Sequence, residues 1–228
     1  MISKLKDLYK GSKVAILGSG PSVDLYKEDE EIAVAINGAS FLERRYNFFV
    51  SGDVRAPSRE WWLASGKRSD SDLITRIVSS YITPFDPFLF PDNIQRDKLK
   101  KDYNKFVKSN DYVYFVPDSN PISPHLYFKF GGFGINFIDN ISNDQNVLYW
   151  GGTISAIALQ LSLVMGGEDI HIYGCGFNNN SGIDYHYICP SEERGWIEKE
   201  QLQIMQLTIN KIRSFGVKIT IHGKSGVR

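Results

Sequence analysis

Three short apolar runs near the N-terminus, each cut off by small or polar turn residues, constrain this chain more than any other feature. Lys13-Val14-Ala15-Ile16-Leu17 gives way to Gly18-Ser19-Gly20-Pro21-Ser22. Ile32-Ala33-Val34-Ala35-Ile36 ends at Asn37-Gly38, and Asn47-Phe48-Phe49-Val50 ends at Ser51-Gly52-Asp53. A strand with one wet face alternates apolar and polar residues, whereas a strand covered on both faces reads as an unbroken apolar run. These runs therefore predict parallel strands under helices.

The C-terminal third continues the pattern. Thr153 to Gly166 places Ile154, Ile157, Ala158, Leu161 and Met165 at helical spacing, and Gly166-Gly167 ends it. Asp169-Ile170-His171-Ile172-Tyr173 reads as a strand stopped by Gly174-Cys175-Gly176. Trp196 to Phe215 reads as a second long helix, and Val217 to Ile221 as a last strand. Strands alternating with helices predict an α/β fold: a mostly parallel sheet with helices on both faces. The whole chain, 1–228, reads as a single domain. The stretch at about 56–146 is less regular. It holds seven of the nine prolines, a charged helix candidate at Lys98–Lys108, a strand candidate at Tyr112–Val116 and the aromatic-flanked glycines of Phe130–Gly134. It reads as strands plus a small lid-like insertion.

Composition excludes several classes. The 26 Lys+Arg balance the 26 Asp+Glu, so nothing here grips nucleic acid by bulk charge. No apolar run reaches the roughly 20 residues of a membrane span. Met1 to Lys13 is charged and amphipathic, which argues against a secretory signal. Cys175 and Cys189 form neither a disulfide framework nor a zinc knuckle, and free thiols in a reducing cytoplasm account for them. The expected location is cytoplasmic, with peripheral docking at the inner face of a membrane compatible with it. So is a homo-oligomer.

In open α/β sheets ligands sit beyond the carboxyl ends of the strands. After the first strand come Gly18, Ser19, Gly20, Pro21 and Ser22. Glycines let backbone approach a phosphate, and a helix starting at Pro21 would aim N–H groups at an anion. The spacing is neither a dinucleotide fingerprint nor a P-loop. A tight strand-to-helix turn explains the same residues. Asn37, Ser51 and Asp53 follow the second and third strands, where base and ribose contacts would fall, although all three also suit plain turns. Gly152, Thr153 and Ser155 open the later helix, as a second anion-binding turn or as an N-cap. His186, between Tyr185 and Tyr187 in a polar loop, is the best general acid/base candidate in the chain. His171, inside a strand, reads as structural.

Val14–Ser22, the Asn37 turn, the Gly-Gly-Thr helix start and the Ile172–Phe177 strand end resemble, in order, two related groups. One is the bacterial lipooligosaccharide sialyltransferases, which use a CMP-sugar donor. The other is the MptE-like group, which includes the archaeal-type hydroxymethylpterin diphosphokinase. The similarity spans roughly 13–37 and 149–191. It implies that 1–228 is a single Rossmann-like nucleotide-binding domain, its mostly parallel sheet holding a nucleotide at this edge. His186-Tyr187-Ile188 is similar to a His-Tyr-Ile segment of the sialyltransferases. By that resemblance His186 is the base on the acceptor hydroxyl, and Tyr185 and Tyr187 assist the departing phosphate. Nucleotide contacts by the same resemblance fall on Ser19, Asn37, Ser51 and Thr153, with Tyr185 a further candidate. Tyr149-Trp150 stands where those enzymes carry an arginine, and Gly176 where they carry an acid. Ser51-Gly52-Asp53 and Gly151-Gly152-Thr153 lean toward the MptE-like pattern.

The leading expectation is thus a nucleotide-sugar glycosyltransferase joining a CMP-sugar donor to a surface-glycan acceptor, as in lipopolysaccharide biosynthesis, with no cofactor. The runner-up is diphosphoryl transfer from ATP, which needs Mg2+ to neutralise the phosphates, with Asp53 as its ligand. A third class is a nucleotide- or glycan-binding protein without catalysis.

Overall fold

The computed structural model describes residues 2–51, 75–79, 112–114, 135–146, 148–149, 153–176 and 199–223. Seven strands form one sheet: β1 (Lys13–Leu17), β2 (Ile32–Ile36), β3 (Phe48–Ser51), β4 (Thr75–Ser79), β5 (Tyr112–Tyr114), β6 (Asp169–Tyr173) and β7 (Lys218–Ile221). Their spatial order is β5-β4-β3-β2-β1-β6-β7, and every pair is parallel. The expected parallel α/β sheet is what the chain forms. The segment at 56–146 contributes two of its strands, β4 and β5. The Lys98–Lys108 helix candidate and the Phe130–Gly134 segment lie outside the described residues.

The unbroken apolar runs sort themselves by side-chain size. Val14, Ile16, Ile32, Val34, Ile36, Phe48 and Val50 face a core that includes both α-helices. Ala15, Ala33 and Ala35 face the other way with Leu17, Phe49 and Tyr173, toward Val23, Tyr26, Ala39 and Leu42. Small residues on that second face let short segments lie close to the sheet. Accordingly it is covered by two 3-10 helices, Pro21–Leu25 and Asn37–Phe41. The helices are thus on both faces, but among the described residues α-helix occurs on one of them only.

The helix α1 spans Ile154–Val164 and α2 spans Lys199–Arg213. Residues 196–198 of the expected second helix lie outside the described residues. Helix α1 is not the one-sided helix that its apolar spacing suggests, because Ser155 through Val164 are all buried. Each buried Ile or Leu there stabilises the fold by about 1.5–3 kcal/mol. The polar residues that interrupt the run are each satisfied. Ser162 Oγ donates to Ala158 O at 2.8 Å. Gln160, wholly buried, accepts from Gln145 Nε2 (3.0 Å) and Tyr149 N (2.8 Å) and donates to Tyr149 O (2.7 Å). Burying an amide is tolerable only when it is so paired, and here the pairing ties Gln145 and Tyr149 to the helix that begins at Ile154.

Candidate functional site

Strand order reverses between β1 and β6: β2 to β5 build out one way, and β6 and β7 the other. Such a switch point is where open α/β sheets take ligands. Here it is closed by backbone. Gly18 N donates to Tyr173 O (2.8 Å), and Gly20 N donates to Gly174 O (2.8 Å). A Cβ on Gly18 would lie 2.4 Å from Gly174 O and 2.6 Å from Cys175 Sγ, and one on Gly20 would lie 2.7 Å from Gly174 O. Glycine is required at both because two loops cross in direct contact. The N–H groups of Gly18 and Gly20 are therefore spent on protein carbonyls. Pro21 opens a five-residue 3-10 helix rather than the longer helix expected there, with Gly20 as its cap. Ser22 Oγ accepts from Gly174 N (2.8 Å), locking the crossing from the side. Ser19, half-buried at the apex, has no side-chain partner among the described residues.

Asn37 and Ser51 are brought together. Ser51 is the last residue of β3 rather than the first after it, and its hydroxyl donates to Asn37 Oδ1 at 3.1 Å. Asn37 has φ +44°, a left-handed conformation that asparagine tolerates better than most residues. Its oxygen accepts from Ser51 through one of two lone pairs, and its amide N–H groups remain donors for a ligand. Strained polar residues at a strand end are characteristic of ligand-holding turns.

Thr153 is the N-cap of α1, its Oγ1 accepting from Ala156 N at 3.3 Å. Replacement by alanine is expected to lower stability by about 1 kcal/mol, read as a shift of the urea midpoint at unchanged slope. Ser155 Oγ lies 3.6 Å from Cys175 Sγ, both buried, so this hydroxyl is turned into the floor of the crossing. Burial pushes the Cys175 thiol up to about 11, against the smaller pull of Ser155 and the Gly18 backbone. It is an inert structural thiol. Asp53, Gly152, Tyr185, His186 and Tyr187 lie outside the described residues. Among the described residues no group of His, Cys, Asp and Glu could hold a metal ion, and no helix is long and apolar enough to cross a membrane. An open cleft of about 810 Å³, lined by Glu28 and residues 40–47, follows the β2–β3 connection rather than the glycine turns.

The sequence marks Gly174 only as a strand stop and His222 only as one histidine of four. Both belong to this edge. The available signal is a pair of glycine turns after strands that prove to be neighbours.

No family model matches the chain, and no curated protein matches it. Among solved structures it is similar to the monofunctional alpha-2,3-sialyltransferase Cst-I from Campylobacter jejuni, with a TM-score of 0.51 and 14% identity over 93% of this chain and 76% of that one. It is also similar to the sialyltransferase CstII from Campylobacter jejuni in complex with cytidine-5'-monophosphate. There the TM-score is 0.50 and the identity 12%, over 93% of this chain and 80% of that one. The chain has the α/β fold that these two sialyltransferases share.

Proposed function

We propose that this chain is a glycosyltransferase that uses a CMP-activated sugar and acts on a surface glycan. The observation that carries the reading is a fold shared, over 93% of the chain, with a sialyltransferase determined in complex with CMP. The paired Asn37 and Ser51 at two adjacent strand ends support it. They offer fixed polar groups where a nucleotide would lie.

In this reading His186 takes the proton from the acceptor hydroxyl. The acceptor oxygen forms a bond to the anomeric carbon, the bond from that carbon to the phosphate oxygen breaks, and CMP leaves with the electron pair. Tyr185 and Tyr187 donate to the departing phosphate. Ser19, Asn37, Ser51 and Thr153 hold the nucleotide. A carboxylate-bound metal has no part in these steps.

The test is thermal unfolding with CMP, CDP, UDP, GDP and ATP, each with Mg2+ and with chelator. A ligand that binds only the folded chain raises the midpoint, by about 2.7 kcal/mol of stabilisation at a hundredfold excess over Kd. CMP or CDP should raise it equally with chelator present. Stabilisation by ATP alone and only with Mg2+ would replace this reading by diphosphoryl transfer with Asp53 as metal ligand. No response to any nucleotide would overturn it in favour of a protein without this activity.

A further inference from the structure

The second sheet face carries a polar cluster that the proposed transfer does not use. His171 Nδ1 lies 2.9 Å from His222 Nε2. The ring of His222 stacks on Tyr173 at 4.1 Å between centroids, with the two planes nearly parallel. Tyr173 OH donates to Glu30 Oε1 at 2.7 Å, and Glu30 is buried with its Oε2 unpartnered among the described residues. Glu30 Oε1 is also 3.8 Å from His171 Nδ1. On the far side His171 Nε2 is 3.1 Å from Asp169 Oδ1, close but not aligned as a hydrogen bond, and Asp169 pairs with Lys218 at 3.2 Å. Tyr26 packs behind Tyr173.

A 2.9 Å contact between two imidazole nitrogens requires one ring to donate and the other to accept. The pair can take one extra proton without losing that bond. With one ring cationic, that ring still donates to its neutral neighbour, and Asp169 and Glu30 both lie beside the pair. A second proton leaves two donors and two like charges in contact. Burial and His171 both hold the His222 imidazole below the ordinary histidine range, while Glu30 pulls more weakly the other way.

This pair touches the glycine crossing through its neighbours. His222 N donates to Ile172 O at 2.9 Å. The next residue, Gly223, abuts Ser22 so closely that a Cβ there would lie 2.6 Å from Ser22 Cβ. Ser22 Oγ in turn accepts from Gly174 N. We propose that the His171–His222 pair is an acid-sensitive clasp on the β1–β6 crossing: with at most one of the two rings protonated it holds the end of β7 against Ser22, and the second proton releases it.

The sign follows from linkage. The opened or unfolded chain takes the His222 proton near 6.5, while the folded chain resists it. Closure is therefore intact above that value and is lost as the pH falls below it.

Cys175 Sγ, buried under Gly18, reports the opening. In a Cys189→Ser background, its reaction with dithiodipyridine is followed from about pH 7.5 to about pH 5 and normalised to a free thiol at each pH. Below the ordinary histidine range the normalised rate should climb about tenfold for each pH unit, the signature of one proton taken up on opening. His222→Gln, which cannot titrate, should abolish the climb. A flat wild-type profile, or an equal climb in His222→Gln, overturns the proposal. Should that variant fail to fold, histidine ring NMR of the Cys189→Ser protein decides. The climb must begin above the later of the two His171/His222 protonation steps of the closed protein and level off at that step, and a climb that begins only at or below it overturns the proposal.

Discussion

Gly174→Ala should unfold the protein at far lower urea than the parent chain, with a loss of about 2–5 kcal/mol. Two effects add. At φ +67° an alanine adopts a left-handed conformation that costs about 1–2 kcal/mol. Its Cβ would also lie 2.4 Å from Gly18 O, 2.7 Å from Gly18 C and 3.0 Å from Gly20 O. These are backbone atoms tied down by the crossing's own hydrogen bonds, so no side chain can swing away, and overpacking of this kind costs about 1–3 kcal/mol. Gly216 separates the two effects. It has φ +84°, and a methyl group added there would meet nothing within 4 Å, so Gly216→Ala bears the conformational cost alone. The comparison is made from urea midpoints of both variants at equal slope. If Gly174→Ala lost no more than Gly216→Ala, the two loops would cross loosely rather than in contact. Against a total stability of about 5–15 kcal/mol, the expected loss is a large fraction of what holds the chain folded.

The second large effect concerns chemistry and rests on the proposed function. His186→Ala should reduce turnover of a CMP-sugar by about 10²–10⁴-fold, the usual contribution of a positioned general base. Stabilisation by CMP should survive, because a group that only accepts the acceptor's proton has no bond to the nucleotide. The active form of the base is neutral, so parent turnover should fall as the pH drops below about 6.5, and that limb should vanish in the variant's residual rate. Single-turnover rates and thermal midpoints with CMP, measured on the same preparations, check both halves. Unchanged turnover would remove His186 from the reaction, and loss of CMP binding would make it a nucleotide contact instead.

Most of the strands are legible in the chain because buried parallel strands have a simple signature. Runs such as Val14–Leu17 and Ile32–Ile36 contain no residue that needs water. β4 is not legible in this way because Arg76 interrupts Thr75–Ser79, and an edge-ward strand does not need an unbroken run. The short 3-10 helix at Pro21 looks in the sequence like the start of a longer helix. Proline and glycine announce a helix start but say nothing of its length, which here is limited by Tyr26 tucking against Tyr173. The strand-end positions of Asn37 and Ser51 are legible, but their mutual hydrogen bond is not, since it depends on β2 and β3 pairing in a particular register. The same holds for Gly18 and Gly174. Each glycine suggests a turn, and only the adjacency of β1 and β6 reveals that they must both be glycine because of each other. Gln160 is visible as a flaw in an apolar run; its partners Gln145 and Tyr149 make it a strap.

The sheet order also dictates when things can happen during synthesis. β1 finds one neighbour soon, since Val14 lies beside Ile32, but its other neighbour is Ile170. Ser22 waits for Gly174, 152 residues downstream, to cover it. While the chain emerges from the ribosome, β1 to β3 can associate, yet the open side of β1 remains an unpaired apolar edge, the kind that invites other chains. Closing so long a loop is slow. That edge stays open until β6 arrives, so slowing translation between β3 and β6 should raise aggregation more than slowing it after β7.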